Sequence, residues 1–145
     1  MAARILVVND TQEILELFRM LLEEEEGYDV ILSGFPIQQI KEIEQIKPDL
    51  IILDLVLGDE QTGMQMLQMF KMQRSTATIP VLVCTAALKI VREQEGYLVS
   101  QGVHMVFKPF DIDHLISSVK QLLEAHEHFS LKVEEEKRKK RKVGD

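Results

Sequence analysis

Five short apolar runs recur along the first 107 of the 145 residues, and each run is continuous rather than alternating. A continuous run of four or five apolar residues is typical of a strand that is buried on both faces of a sheet. Amphipathic stretches at helical spacing follow each run. Strands and helices that alternate in this way predict one α/β domain, with a parallel sheet and helices on both of its faces. The predicted strands cover residues 4–8, 29–33, 50–53, 80–84 and 103–107.

The stretches that follow the strands predict five helices, so that a βα unit is repeated five times. In each stretch apolar residues lie three or four positions apart, which places them on one face of a helix. The predicted helices cover residues 11–26, 36–47, 63–73, 88–100 and 111–126. No change of composition separates a second domain. We therefore expect one folded domain over residues 1–127 and a charged, partly helical tail over residues 128–145.

The net charge of −7 is distributed unevenly along the chain. Residues 1–125 contain 10 basic and 19 acidic residues, whereas residues 126–145 contain 7 basic and 5 acidic ones. An acidic body disfavours broad nucleic-acid binding by the domain itself. The tail includes six consecutive basic residues, Lys137 to Lys142. Two interpretations of this run stay open, namely a solvated helical terminus and a basic patch for nucleic acid, an anionic membrane or an acidic partner.

Neither a membrane span nor a signal peptide is expected from the apolar pattern. No stretch approaches the roughly 18 uninterrupted apolar residues that a membrane helix needs, and the first apolar run ends at residue 8. The single cysteine, Cys84, lies inside a predicted strand and has no second cysteine to form an internal disulfide with. We therefore expect a cytoplasmic protein in a reducing compartment.

Hydrophilic residues directly follow several of the predicted strands. In a doubly wound sheet, ligands bind outside the carboxyl ends of the strands, so these residues are expected to line one cleft. Asp54 is notable because it interrupts an apolar octet, where an isolated ionised carboxylate would be costly to bury. The residues that follow the first, third, fourth and fifth strands are Asn9 and Asp10, Asp54, Thr85 and Ala86, and Lys108 and Pro109, respectively.

Asp10 and Asp54 are expected to form a pair of carboxylates in this cleft. Two carboxylates a few ångströms apart repel each other by roughly 4 kcal/mol at an effective dielectric constant near 20, unless a cation lies between them or one is protonated. Mg²⁺ suits such oxygen ligands and also accepts phosphate oxygens. With Lys108 as a cationic partner and Thr85 as a hydroxyl donor, the cleft is predicted to hold a phosphoryl group on an aspartate nucleophile.

These residues resemble the receiver domain of response regulators in two-component signalling, which belongs to the CheY-like superfamily. The resemblance covers residues 4 to about 125. It implies a flavodoxin-like strand order of 2-1-3-4-5. It also implies a signalling phosphoacceptor with self-catalysed phosphotransfer and slow autodephosphorylation, rather than an enzyme that turns over a substrate. The motifs that carry it are Asp10, Asp54, Thr85-Ala86 and Lys108-Pro109-Phe110, each after its strand.

The resemblance implies a phosphoacceptor and a metal site. Asp54 is expected to take a phosphoryl group from a phosphohistidine on a sensor histidine kinase or a phosphotransfer protein. Asp10, Asp54 and the main-chain carbonyl of Val56 are expected to bind Mg²⁺. Asn9 stands where many members have an acidic residue, so it is expected to contribute only a carbonyl oxygen or a bound water and to leave Mg²⁺ binding weaker.

The resemblance also implies a switch and a partner surface. Thr85 and Ala86 are expected to form the position that responds to the phosphoryl group, and Lys108 is expected to pair with that group. The peptide bond between Lys108 and Pro109 is expected to be cis. A downstream protein, or a second copy in a homodimer, is expected to bind the face formed by the fourth predicted helix (88–100), the fifth strand (103–107) and the fifth predicted helix (111–126).

Several positions depart from the family pattern. Met105 stands where many members have an aromatic residue that moves inward on activation, so this part of the switch is missing. Gly58 replaces a common proline, and the loop that ends at Gly63 is one residue longer than usual. Val56 and Ala87 are apolar where polar residues often help water attack, which predicts a long-lived phosphorylated form. The alternative function is a pseudo-receiver, an interaction module that works without phosphorylation.

Overall fold

A computed structural model describes the backbone of residues 2–143, and the side chains of these residues apart from residues 129, 130 and 141–143. Five strands form one parallel sheet in the order β2-β1-β3-β4-β5. This order confirms the predicted α/β fold. Each strand lies within one residue of its predicted position, because buried strands coincide with continuous apolar runs. The strands are β1 (Arg4–Val8), β2 (Asp29–Ser33), β3 (Leu50–Leu53), β4 (Val81–Thr85) and β5 (His104–Phe107).

Seven α-helices and one π-helix lie within the described residues. The π-helix, Arg19–Glu25, directly continues the first α-helix, so the single helix predicted over residues 11–26 has two geometries. The stretch contains no proline or glycine that would indicate this change. The α-helices are α1 (Gln12–Phe18), α2 (Ile40–Ile46), α3 (Thr62–Met72), α4 (Arg74–Ala77), α5 (Leu88–Glu93), α6 (Glu95–Ser100) and α7 (Ile112–Val143).

Two of the predicted helices had wrong boundaries. The second helix begins at Ile40 and not at residue 36, because Ile37 is buried in the preceding loop with its N–H 3.4 Å from Met66 Sδ. The fourth predicted helix is divided into α5 and α6 at Gln94, whose φ of −107° and ψ of 12° are not helical. The fifth predicted helix continues to Val143, through the tail that was expected to be partly helical. The short helix α4 was not predicted at all.

The sheet separates two apolar cores, which confirms that helices cover both of its faces. On one face, α1, the π-helix and α7 pack against alternate residues of the strands. On the other face, α2, α3, α5 and α6 pack against the remaining strand residues. Buried residues on the first face include Ile5, Phe18, Leu22, Leu82 and Leu115, and those on the second include Leu6, Ile43, Leu67, Phe70 and Leu98.

Helix α7 has a docked part and a projecting part. Leu115 and Val119 in its first turns are fully buried. Beyond residue 127 the described side chains are exposed or half-buried, and Leu131 is 60% exposed. The projecting part carries the acidic and basic residues of the tail. None of the described helices combines the length and the apolar character needed to cross a bilayer.

The strand order reverses between β1 and β3, and the residues that follow these two strands lie side by side. Val8 pairs with Leu53 at the carboxyl ends of the two strands. The N–H of Asp54 donates to the carbonyl of Val8 at 3.2 Å. The sheet topology therefore places Asn9 and Asp54 at one edge, where doubly wound folds bind ligands.

Candidate functional site

Asp54 directly follows β3, and its side chain is only 11% exposed. Its Oδ2 accepts a hydrogen bond from Lys108 Nζ at 2.8 Å and a longer one from Asn9 Nδ2 at 3.4 Å. Its Oδ1 accepts a hydrogen bond from the main-chain N–H of Val56 at 3.1 Å. An ionised carboxylate can be buried when donors offset its lost hydration, and here three donors surround it.

Lys108 is positioned by the chain that connects β5 to α7. Its main-chain N–H donates to the carbonyl of Thr85 at 2.9 Å, so the pairing of β4 with β5 continues up to Lys108. The peptide bond between Lys108 and Pro109 is cis. The ring of Phe110 stacks on Phe18 of α1, with the ring centroids 5.9 Å apart. This aromatic contact anchors the connection to the core, and nothing in the spacing of the sequence indicated it.

Asn9 and Asp10 follow β1 and have different surroundings. Asn9 is 3% exposed, and its Oδ1 accepts the N–H of Thr11 at 2.9 Å while its Nδ2 faces Asp54. Asp10 is exposed, and its Oδ2 accepts the N–H of Gly58 at 3.0 Å. Asp10 and Asp54 thus each accept a main-chain N–H from the same loop after β3. This loop brings both carboxylates to one end of the cleft.

Thr85, Ala86 and Met105 lie near the site without a hydrogen bond to Asp54 among the described residues. The side chain of Thr85 is fully buried at the end of β4, and its hydroxyl accepts the N–H of Ala87 at 3.1 Å. Ala86 is exposed, and Met105 is half-buried against the core on the α2 face of the sheet. The structure therefore brings Asn9 and Lys108 into direct contact with Asp54, with Thr85 at the end of the neighbouring strand β4 and Met105 in β5.

The loop between Asp54 and α3 is held by an aspartate at its far end. Asp59 Oδ1 accepts hydrogen bonds from the hydroxyl and N–H of Thr62, both at 2.8 Å, and from the N–H of Gln61 at 2.9 Å. These donors, the Thr62 hydroxyl first, hold the pKa of Asp59 below its ordinary value. Gly58 adopts a φ of +82°, a conformation that favours glycine over the proline common in the family.

Gly63 in the first turn of α3 packs directly on the backbone beside Asp54. A Cβ atom added to Gly63 would lie 2.2 Å from the carbonyl oxygen of Leu55. No other residue fits this approach without a shift of the backbone. Sequence reasoning noted Gly63 only as part of an unusually long loop, although a glycine at the start of a predicted helix could have indicated a close approach.

The oxygen atoms at this edge fit a magnesium ion. Mg²⁺ binds one or two carboxylates, keeps several waters and accepts phosphate oxygens. The candidate donors are Asp10, Asp54 and the half-buried Val56, whose N–H already contacts Asp54. The described residues contain no cluster of three or more His, Cys, Asp or Glu side chains that could hold a metal. Two carboxylates and a main-chain carbonyl are donors of the kind that Mg²⁺ takes from proteins.

Cys84 lies one residue before Thr85 and is 1% exposed. Burial raises the pKa of its thiol to about 11, although the charge of Lys108 opposes this shift. The thiol therefore stays protonated at neutral pH and belongs to the core, as its position in an apolar strand predicted.

A five-stranded 2-1-3-4-5 sheet with a paired aspartate and lysine at its carboxyl edge defines a CheY-like α/β domain. The family model of the response regulator receiver domain matches residues 5–120. The chain belongs to this family, which is a family of signalling domains of two-component systems. The resemblance found in the sequence is thereby confirmed.

Two relatives with curated names are similar in sequence to most of this chain. The DNA-binding dual master transcriptional regulator RpaA of Synechocystis sp. is 34% identical over 120 residues, which are 83% of this chain and 48% of RpaA. The DNA-binding response regulator MtrA of Mycolicibacterium smegmatis is 31% identical over 127 residues, which are 88% of this chain and 53% of MtrA. The chain thus spans about half the length of these relatives.

Solved structures show the same fold both as a separate domain and within a longer chain. The signal receiver domain of a DNA-binding response regulator (merR) from Colwellia psychrerythraea has a TM-score of 0.71 and 25% identity, and the match covers 84% of this chain and 98% of that one. NtrX from Brucella abortus has a TM-score of 0.75 and 27% identity, and the match covers 93% of this chain and 29% of NtrX.

Proposed function

We propose that this domain is a phosphoacceptor in which Asp54 takes a phosphoryl group from a phosphohistidine on a sensor histidine kinase or a phosphotransfer protein. The observation that carries the proposal is the Asp54 carboxylate, which is 11% exposed at the carboxyl edge of the sheet with Lys108 Nζ at 2.8 Å. A nearly buried carboxylate beside a cation is a suitable nucleophile for phosphoryl transfer. Membership of the receiver family supports the same role.

The transfer itself is a displacement at phosphorus. A carboxylate oxygen of Asp54 attacks the phosphorus atom, a P–O bond forms, and the P–N bond of the phosphohistidine breaks. The departing imidazole takes a proton from solvent. Lys108 and the N–H of Val56, which already bind the two carboxylate oxygens, offset the negative charge that the phosphoryl oxygens bring.

Asp10, Asp54 and the carbonyl of Val56 are the residues proposed to hold Mg²⁺. The cation, when bound, spreads the charge of the phosphoryl oxygens. Asp10 is exposed, so a hydrated ion can approach it directly. The side chain of Asp54 is mostly buried, so an ion can approach it only from the carboxyl edge of the sheet. The bond from the Gly58 N–H to Asp10 Oδ2 leaves the other carboxylate oxygen for the ion and its waters.

The proposed output is a change of the surface formed by α5, α6, β5 and the docked part of α7. A phosphoryl group on Asp54 would attract Lys108 and the buried hydroxyl of Thr85, and the small side chain of Ala86 leaves room for this movement. These contacts would shift the equilibrium between two conformations of the domain. The surface carries exposed apolar side chains, which suit a downstream protein or a second copy of the domain. These side chains are Leu88, Val99, Phe107 and Ile112.

The direct test is incubation with Mg²⁺ and acetyl phosphate, followed by measurement of the intact mass. The wild-type chain is expected to gain one phosphoryl group and the Asp54→Asn variant none. Asp59→Asn is the matched control, because Asp59 holds the start of α3 and does not contact Asp54. It is expected to be labelled like the wild type. Labelling of Asp54→Asn to the wild-type level would refute the assignment.

The phosphorylated form is expected to be long-lived. Val56 and Ala87 present no polar side-chain atoms that could orient a water for attack on the acyl phosphate. Loss of the phosphoryl group, followed by intact mass over time, should be slow in the wild type and faster in Val56→Asn. Decay of the wild-type adduct within seconds would contradict this expectation.

A second candidate function is a pseudo-receiver that binds its partner without phosphorylation. The observation that favours it is that three positions depart from the family pattern: Asn9 stands where many members have an acidic residue, Gly58 replaces a common proline, and Met105 replaces the aromatic residue of the usual switch. Under this alternative, neither acetyl phosphate nor beryllofluoride should produce an adduct or a change in spectra.

The basic run at the end of α7 supports nucleic acid as a further partner. Lys137, Arg138, Lys139 and Lys140 are all exposed. Residues 134–142 contain no apolar side chain that could insert into a membrane surface. Binding through this run should weaken steeply with added salt, because it depends on phosphate contacts. A chain that does not retard DNA or RNA at low salt would lack this function.

A further inference from the structure

The orientation of the Asn9 side chain is determined by its neighbours. A main-chain N–H can only donate, so the Asn9 atom 2.9 Å from the Thr11 nitrogen is the amide oxygen. The amide nitrogen, Nδ2, must then be the atom that faces Asp54 Oδ2 at 3.4 Å. Asn9 is 3% exposed and its own N–H donates to Ser33, which leaves the side chain little freedom to turn over.

The orientation decides what Asn9 can do. An amide NH₂ group has two donor hydrogens and does not coordinate a cation. The oxygen, which could coordinate one, is directed at the Thr11 N–H, while the nitrogen is the atom that faces Asp54. Asp10 differs, because its carboxylate has a second oxygen beside the one that accepts the Gly58 N–H.

We infer that Asn9 donates a hydrogen bond to the Asp54 carboxylate, and to the phosphoryl group that replaces its charge, and is not a ligand of the divalent cation. This inference deepens the proposed function and rests on it. Asn9 is a positioning residue, and Asp10, Asp54 and Val56 alone hold the cation.

An aspartate at this position would behave differently. One of its oxygens would accept the Thr11 N–H, and the other would face Asp54 Oδ2 where Asn9 now donates. Two carboxylate oxygens at such a separation repel each other, and a bound cation relieves that repulsion. Asn9 thus stabilises the metal-free site and lowers its affinity for the cation. The consequence is that cation affinity should rise, and stability without the cation should fall, in Asn9→Asp.

The test measures Mn²⁺ affinity of the full chain by water-proton relaxation, together with thermal unfolding as a function of Mg²⁺. Asn9→Ala is expected to bind Mn²⁺ within twofold of the wild type, because no ligand is lost. Asn9→Asp is expected to bind at least tenfold more tightly, with a melting temperature that is lower without Mg²⁺ and rises more steeply with it. Asp10→Asn, which removes a proposed ligand, should bind at least tenfold more weakly.

Three results would overturn the inference. One is a loss of Mn²⁺ affinity of more than fivefold in folded Asn9→Ala, which would make the amide oxygen a ligand; Asn9→Ser replaces this variant if it does not fold. The second is an Asn9→Asp variant that binds no more tightly than the wild type. The third is a wild-type chain that binds no Mn²⁺. Failure of the proposed function is seen separately, as a wild-type chain that binds Mn²⁺ but takes no phosphoryl group from acetyl phosphate.

Discussion

Two lysine–carboxylate pairs show how differently the strand-end cleft and the projecting part of α7 use the same chemistry. In the cleft, Lys108 Nζ lies 2.8 Å from Asp54, and the two side chains are 22% and 11% exposed. On α7, Lys139 Nζ lies 3.8 Å from Glu135, and the side chains are 73% and 63% exposed. The first pair joins residues 54 positions apart in the sequence, whereas the second joins neighbouring turns of one helix.

The position of a charge in the fold decides its effect on stability, and the number of charges does not. The two charges of an exposed pair between helical turns are hydrated whether or not the pair forms. Such a pair therefore contributes only about 0.3–0.5 kcal/mol to stability. A nearly buried carboxylate depends on its partners, because without them its lost hydration is not replaced. Among the described acidic residues Asp49 is half-buried, only Asp54 is buried, and the others are exposed.

The largest expected difference comes from the same change, leucine to alanine, made in the docked part and in the projecting part of α7. Leu115 is fully buried, so Leu115→Ala should lower the free energy of unfolding by about 2–5 kcal/mol. Leu131 is 60% exposed, so Leu131→Ala should change it by less than about 0.5 kcal/mol. Urea denaturation followed by circular dichroism measures both. Equal losses would show that the projecting part is packed against something.

Substitutions at two glycines test how closely α3 packs on the backbone beside the cleft. Gly63→Ala places a Cβ 2.2 Å from the Leu55 carbonyl oxygen, and the shift this requires should cost about 1–3 kcal/mol. Gly96 in α6 has no atom within 4 Å of an added Cβ, so Gly96→Ala should instead stabilise the domain by up to about 1 kcal/mol. The same denaturation measurement applies. If Gly63→Ala were neutral, the backbone after Asp54 would be more adaptable than the structure indicates.

The smallest expected effect separates the two ion pairs themselves. A double-mutant cycle with Asp54→Asn and Lys108→Met should give a coupling energy of about 1–3 kcal/mol that changes little with salt. The corresponding cycle with Glu135→Gln and Lys139→Met should give about 0.5 kcal/mol or less and vanish at high salt. A salt-sensitive coupling in the cleft would mean that Asp54 and Lys108 are more solvated than they are in the structure.

The strands and their order could be predicted from the sequence because each buried strand is a continuous apolar run. The same reasoning located Asp54 and Lys108, since each is the first hydrophilic residue after such a run. Helix boundaries were less predictable. Ile37 continues the apolar spacing of α2 and yet is buried in a loop against Met66, because burial and helical periodicity need not share a cause.

The orientation of side chains in the site could not be predicted from the sequence. The direction of the Asn9 amide depends on the N–H of Thr11, which faces it only because α1 begins where it does. The contact between Phe110 and Phe18 joins residues from distant parts of the chain. Contacts of this kind depend on tertiary packing and cannot be predicted from the pattern of residue types along the chain.

Because α7 is one continuous helix, any rotation of its docked part also moves its far end. From Glu127 to Val143 the helix rises about 1.5 Å per residue, so its far end lies about 24 Å from the edge of the docked part. If the docked part tilted by 10°, the far end would move by about 4 Å, which is more than a hydrogen-bond length. A tilt of the docked part would thus be magnified at the basic end of α7.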